Sequence, residues 1–148
     1  MTFLTILILF FIIGTWGLET WVSKLNLQSL EQPIPTIFEH AVNTHKYEQS
    51  QAYTRRNEKL SFISGFVNVV AVVLCMMLGI FNIFNEWASA LFSGQITQGL
   101  AFLGIVSLAS MVLSLPFSIY KTFSIEEKYG FNRTTPKLFI VDRLKGIL

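Results

Sequence analysis

Three long runs of apolar residues constrain this chain more than any other feature of its sequence. They cover residues 2–22, 60–81 and 97–120, and the second and third runs contain no charged residue. A helix needs roughly 20 mostly apolar residues to cross the hydrocarbon core of a bilayer. A soluble protein of this length could not bury three such helices. The sequence therefore predicts an all-α, polytopic membrane protein with three full transmembrane helices.

The first apolar run could instead be a secretory signal peptide. It has no basic residue before the apolar stretch and no small-residue cleavage site after it, and both are expected of a signal peptide. Trp16 and Trp21 stand where an interfacial aromatic belt would lie. A retained first transmembrane helix is therefore the favoured interpretation.

Composition and charge exclude several classes of function. Charged residues make up only 14% of the chain and the net charge is +2, with no basic stripe of the kind that binds nucleic acid. The single cysteine, Cys75, excludes an internal disulfide and a cysteine-based zinc cluster. His40 and His45 are five residues apart, a spacing that does not bring two helical ligands onto one metal. We therefore predict no catalytic residue, no metal ligand and no cofactor in this chain.

The distribution of basic residues predicts an orientation. Residues 23–59 contain five lysines and arginines, residues 82–96 contain none, and residues 121–148 contain six. Loops rich in lysine and arginine stay in the cytosol. The N-terminus and residues 82–96 should therefore lie outside, the latter as a loop with a short turn "GQITQG", whereas residues 23–59 and 121–148 should be cytosolic.

The first cytosolic segment is expected to be structured. Its two prolines favour extended backbone, and Thr36 with Glu39 matches a capping box at the start of a helix. The following stretch "YEQSQAYTRRNEKLSF", residues 47–62, should continue as a helix into the second span.

Small and polar residues recur at helical spacing within the second and third spans. Such faces either let helices approach closely or line a water-filled cavity, and the sequence leaves both alternatives open. Pro116 should kink the third span near its cytosolic end. The candidate packing or chamber-facing residues are Ser61, Gly65, Asn68, Ser110 and Ser114, together with Val72, Cys75, Gly79 and Ser118.

The stretch "SIEEKYGFNRTTPKLFIVDRL", residues 124–144, is dense in helix start and stop signals. Ser124 to Glu127 matches a capping box, and Gly130 is placed to close a short helix in a left-handed conformation. Thr135 and Pro136 then suit the cap and first position of a new helix. That helix, residues 136–148, is still unfinished where the sequence stops, so we expect a piece of a larger membrane protein.

The segment "LPFSIYKTFSIEEKYGFNRTTPKLFIVDRLKG", residues 115–146, closely resembles the N-terminal membrane region of the integral-membrane CAAX prenyl proteases and their bacterial relatives. Residues 47–62 resemble the same family's segment before its second span. The order and spacing of the spans fit the family as well, so the resemblance covers nearly the whole chain. The motif positions are Pro116, Glu126, Glu127, Tyr129, Gly130, Phe131, Asn132, Arg133, Thr135 and Pro136.

This resemblance implies that residues 1–148 form one N-terminal membrane domain, with cytosolic segments at 23–59 and 121–137. In the full-length zinc metalloendopeptidase, the membrane helices enclose a chamber, and a downstream catalytic domain binds zinc through H-E-x-x-H. This chain has no H-E-x-x-H and should be inactive alone. The implied partners are the lipid bilayer, the downstream domain and a peptide or protein substrate, and the expected location is a bacterial inner membrane.

Two other functions are alternatives to this interpretation. A stand-alone, non-enzymatic membrane scaffold or partner-binding protein would use the same helix faces without a catalytic domain. A transporter or channel subunit would need an ionisable residue in the middle of a span, and the second and third runs contain none.

Overall fold

The computed structural model describes residues 2–30 and 43–146, and its regular elements in these ranges are all helices. This confirms the predicted all-α class. The elements are α1 (Phe3–Ser29), α2 (Thr44–Met77), α3 (Ile80–Leu91), α4 (Gln95–Tyr120), a π-helical segment (Lys121–Glu126) and α5 (Pro136–Lys145).

Three helical stretches are long and apolar enough to cross a membrane: Phe3–Ser29, Thr44–Met77 and Gln95–Glu126. Their side chains face outward rather than into a core. Within residues 2–30 and 43–146, Ala88 and Ile125 are the only buried hydrophobic residues, whereas Phe3 is 81% and Ile96 is 80% exposed. Large apolar side chains exposed on this scale are suited to lipid, not to water.

Helix α2 carries the polar segment and the second span as one uninterrupted helix, as the sequence predicts. Asn43 caps its first turn, with the side-chain Oδ1 accepting a hydrogen bond from the Lys46 amide at 3.2 Å. Its 34 residues reach about 51 Å at 1.5 Å per residue, against a hydrocarbon core of about 30 Å. Its polar N-terminal half therefore extends beyond the bilayer. The predicted capping box at Thr36 and Glu39 lies outside the described residues.

Helix α1 packs antiparallel along α2. The Trp16 ring lies 5.6 Å from the Phe62 ring and 5.8 Å from the Phe66 ring, measured between centroids. Nearer the polar end, the Ser23 hydroxyl donates a hydrogen bond to the Glu58 carboxylate. At the end of α1, Gln51 Nε2 donates to the Leu30 carbonyl. Trp16, which the sequence suggested for an interfacial belt, thus packs between helices, and Trp21 remains exposed.

Helix α3 corrects the prediction that residues 82–96 form a loop. Helix α2 ends at Met77, and Gly79 takes a left-handed conformation with φ of 70°, so Gly79 lies at a break and not on the packing face predicted for it. Most of the predicted turn "GQITQG" belongs to α4, which begins at Gln95. The polar residues of α3 fall at positions 82, 85, 86 and 89, which is the spacing of one helical face.

The opposite face of α3 packs on α4. Ala88 is fully buried there, and the Phe81 and Phe102 rings lie 6.5 Å apart. The short connection between the two helices is closed by Gln98, whose Nε2 donates to the Phe92 carbonyl at 2.8 Å. The third span therefore starts as one arm of a helical hairpin.

Replacing Gly65 with leucine should weaken the packing of α1 on α2. A Cβ atom at Gly65 would lie 3.0 Å from Trp16 Nε1, so the indole ring or the helix must shift. Overpacking of this kind costs about 1–3 kcal/mol of unfolding free energy, measurable by thermal denaturation in detergent. Gly104→Leu is the matched control, because a Cβ there meets nothing within 4 Å. An equal loss of stability in both variants would contradict this account.

Candidate functional site

The third span does not stop at Tyr120 but continues through the π-helical segment to Lys128. The predicted capping box at Ser124 is therefore wrong, because Ser124 lies inside a continuous helix. No glycine or proline between Tyr120 and Ile125 breaks the helix, and Ile125 is only 2% exposed at the contact with α2. Glu126 and Glu127 consequently lie at the C-terminal end of this helix, where the helix dipole does not favour acids.

Gly130 closes this helix as predicted. It has a φ of 75°, the left-handed conformation that glycine adopts without steric cost. The Phe131 amide donates to the Glu126 carbonyl at 2.8 Å, and the Gly130 amide donates to the Glu127 carbonyl at 3.1 Å. This pair of hydrogen bonds is a Schellman motif, which satisfies the last carbonyls of the helix and fixes where the chain leaves it.

The next five residues form a tight connection to α5. Asn132 Oδ1 accepts a hydrogen bond from the Thr134 amide at 2.7 Å, which makes an Asx turn. Thr135 then caps α5 through its hydroxyl, which accepts from the Leu138 amide at 3.3 Å. Pro136 occupies the first helical turn, so the predicted cap and first position are both confirmed. Arg133 is exposed on this connection.

The connection is held against the polar half of α2 by an aromatic clasp, formed by Tyr53, Tyr129 and Phe131. The ring of Tyr53 lies 5.6 Å from that of Tyr129 and 4.8 Å from that of Phe131. Gln49 Nε2 also donates to the Tyr129 carbonyl at 3.5 Å. The two segments that resemble the protease family, 47–62 and 115–146, therefore contact each other. No sequence signal paired them, because nothing in either segment specifies a partner about 80 residues away in the chain.

Helix α5 is held to the π-helical segment by a second ring contact. The rings of Phe123 and Phe139 lie 5.5 Å apart in an edge-to-face arrangement, and the Arg143 guanidinium stands 5.3 Å from the Phe139 centroid. Edge-to-face rings and cation–π contacts each contribute on the order of 1 kcal/mol. The Arg143 contact lies within α5, so the Phe123–Phe139 contact and the aromatic clasp set the direction in which α5 leaves residues 115–146, which we call the corner.

The small and polar residues predicted inside the spans lie in two places, at the contact of α2 with α1 and between α2 and α4. Gly65 faces α1, where it makes room for Trp16. Ser61, Asn68 and Ser114 line a cleft of about 200 Å³ between α2 and α4, which we call the polar cleft. Ser110 lines an adjoining, more apolar cavity of about 250 Å³ that Asn68 shares. The other lining residues of the polar cleft are Asn57, Leu60, Ser64, Phe117, Ser118 and Lys121.

The polar cleft contains a side-chain oxygen with unused hydrogen-bonding capacity. Asn57 Oδ1 is buried and has no hydrogen-bond partner. A buried amide oxygen without a partner is unfavourable, so a water or a ligand donor is expected to satisfy it. Pro116 lies within α4, between the cleft residues Ser114 and Phe117, and the helix continues past it.

Within residues 2–30 and 43–146, no group of three histidine, cysteine, aspartate or glutamate side chains comes together as a metal site. His45 is exposed in the first turn of α2, and His40 lies outside the described residues. The residues described here therefore do not fit a zinc ion, and no catalytic step through zinc can be derived from them.

Replacing Gly130 with alanine should destabilise the corner. An alanine held at a φ of 75° carries a steric cost of about 1–2 kcal/mol, which denaturant titration of the protein in mixed micelles should detect. Gly146→Ala is the control, since Gly146 has a φ of −72° that alanine adopts freely. If the two variants lost stability equally, the left-handed cap would not be the cause.

Comparisons with known proteins agree with this geometry. Residues 23–148 match the family model described as CAAX prenyl protease N-terminal, five membrane helices. The chain is 31% identical over 144 residues to CAAX prenyl protease 1 homolog of Arabidopsis thaliana, covering 92% of this chain and 34% of that protein. It is 27% identical over 148 residues to CAAX prenyl protease 1 of Saccharomyces cerevisiae, covering 93% of this chain and 33% of that protein.

The fold is similar to that in the crystal structure of S. mikatae Ste24p, with a TM-score of 0.89 and 28% sequence identity. That match covers 99% of this chain and 36% of the Ste24p chain, so this chain spans about a third of the length of the proteins it matches. The family match covers both segments joined by the aromatic clasp. The chain accordingly belongs to the CAAX prenyl protease family, within its N-terminal membrane domain.

Proposed function

We propose that this chain builds part of the intramembrane chamber of a zinc metalloendopeptidase and positions a downstream catalytic domain for proteolysis. The observation that carries this proposal is the corner formed by residues 115–146, which the aromatic clasp fastens to α2. Family membership and the share of the relatives that this chain spans support a catalytic part elsewhere in the protein.

The chain contributes walls and a fixed corner rather than reacting groups. The polar cleft runs from the polar half of α2 into the second span and supplies amide and hydroxyl groups, among them Asn57, Ser61 and Asn68. Such groups can hydrogen-bond a peptide backbone or water inside the chamber. The downstream H-E-x-x-H motif would hold zinc, and zinc when bound supplies an activated water for peptide hydrolysis.

The corner would set the distance between the chamber and the catalytic domain. Helix α5 leaves it in a direction fixed by Phe123 and Phe139 on one side and by the aromatic clasp on the other. A misplacement of about 1 Å at a reacting centre can lower the rate about a hundredfold. We therefore assign to the corner the role of holding α5 rigidly in place.

Tyr53→Ala should lower peptidase activity in the intact protein that carries this chain. Loss of the ring frees Tyr129 and Phe131, and we expect kcat to fall about tenfold to a hundredfold on a prenylated peptide. Tyr53→Phe keeps the ring and should retain activity. Both variants should keep one zinc per protein, measured by atomic emission, because Tyr53 acts on position and not on the metal.

The same experiment separates the peptidase from a non-enzymatic scaffold. An intact protein without an H-E-x-x-H peptide, without stoichiometric zinc and without peptide cleavage would overturn the proposed function. Equal kcat values for Tyr53→Ala and Tyr53→Phe in an active, zinc-loaded protein would overturn only the role given to the corner.

We also propose that the charged end of the bundle is cytosolic and that the protein resides in a bacterial inner membrane. The described parts of the two basic-rich segments, 23–59 and 121–148, gather at this end, as the contacts of Ser23 with Glu58 and of Tyr53 with Tyr129 indicate. Their clustering agrees with the distribution of lysine and arginine along the sequence.

Cysteine labelling tests this orientation. In a Cys75→Ser background, Ser93→Cys should react with a membrane-impermeant maleimide on whole cells. Lys128→Cys should react only after the cells are permeabilised, because it lies at the opposite end of the third span. The reverse labelling pattern would show that the orientation is inverted.

A further inference from the structure

Another cavity, of about 490 Å³, lies between α2 and the end of the third span, and we call it the basic pocket. Its lining residues include three cations from one short stretch of α2, and within the described ranges they include no acidic side chain. The remaining lining residues are apolar or aromatic. The full set is Arg55, Arg56, Lys59, Leu60, Ile63, Tyr120 and Ile125.

The basic pocket stands at the boundary between the polar and apolar parts of the protein. Lys59 is the last charged residue before the uncharged second run, which begins at Leu60. Tyr120 is the last residue of the uncharged third run and is exposed. Tyrosine at the end of a span is typical of the level of the lipid headgroups. The cations therefore lie at headgroup depth.

The two sides of the pocket differ in a way that matches a phospholipid. Arg56 offers the planar donor set that binds phosphate oxygens in pairs, and Lys59 adds a compact positive charge. Leu60 and Ile63 provide an apolar floor on the bilayer side, and Ile125 lines the pocket from the π-helical segment. A free inorganic anion would use the cations only, whereas a phospholipid would use both the cations and the floor.

We propose that the basic pocket binds the phosphate of an anionic phospholipid, with the first part of its acyl chains lying on Leu60 and Ile63. The bound lipid would contact both α2 and the π-helical segment. This inference depends on insertion of the chain in a membrane and not on the proposed peptidase activity.

Native mass spectrometry of the intact protein that carries this chain, purified in a neutral detergent, tests the proposal. Titration with phosphatidylglycerol should give retained lipid adducts, and phosphatidylcholine should give markedly fewer. The double variant Arg56→Gln, Lys59→Gln should bind phosphatidylglycerol roughly five- to thirtyfold more weakly, because each interfacial cation contributes to binding of anionic lipid. Arg55 is left unchanged because it has another interaction within the chain.

Two control variants make the result specific. Lys128→Gln, Lys137→Gln removes the same charge from exposed positions outside the pocket and should leave binding unchanged. Arg56→Lys, Lys59→Arg keeps both charges and should retain most of the binding. Retention by this variant shows that loss in the glutamine variant comes from charge and not from misfolding.

Three results would overturn the proposal. Equal retention of phosphatidylglycerol and phosphatidylcholine would show no selection for an anionic lipid. Equal weakening by the two glutamine double variants would show diffuse attraction rather than a pocket. Displacement of phosphatidylglycerol by an equal concentration of inorganic phosphate would show an anion site that does not use the apolar floor.

Discussion

The structure depends on α2 remaining a single unbroken helix from the polar end into the apolar region. In lipid, backbone amides and carbonyls must be satisfied within the protein, and a continuous helix achieves this without help from neighbours. Because α2 does not break at Lys59, one rigid axis passes from water into the bilayer. Three parts of the protein pack on α2. Helix α1 contacts it through Trp16, the π-helical segment contacts it through Ile125, and the corner contacts its Tyr53.

The corner after the third span combines local and distant interactions. Its backbone is determined locally by the Gly130 cap, the Asn132 turn and the Thr135 cap, each of which involves residues within a few positions. Its place in the molecule is determined by Tyr53, which comes from a different part of the chain. The first set gives the corner its shape, and the second gives it a position relative to the membrane helices.

Sequence reasoning succeeded where the physics is local. Hydropathy and length identified the spans, and the chemistry of Gly130 and Pro136 identified a helix end and a helix start. It failed at Ser124, whose local pattern fits a cap, because burial of Ile125 against α2 favours continuing the helix. It also missed α3, since only the position of α4 decides whether Asn82 and its polar neighbours form a helix face or a loop. The polar cleft and the basic pocket required the relative placement of α2 and α4, which no short pattern contains.

The π-helical segment has a consequence for how this region can change. A π turn holds one residue more than the α turn it replaces, so it rotates everything that follows by about 100°. Here the π-helical segment contains Ile125, which faces α2, and it precedes Tyr129, which meets Tyr53. The number of residues in the segment 121–126 thus determines the direction in which the following residues face. Side chains in this segment can be substituted within limits. Deletion or insertion of a single residue would instead rotate the corner away from its contact with Tyr53.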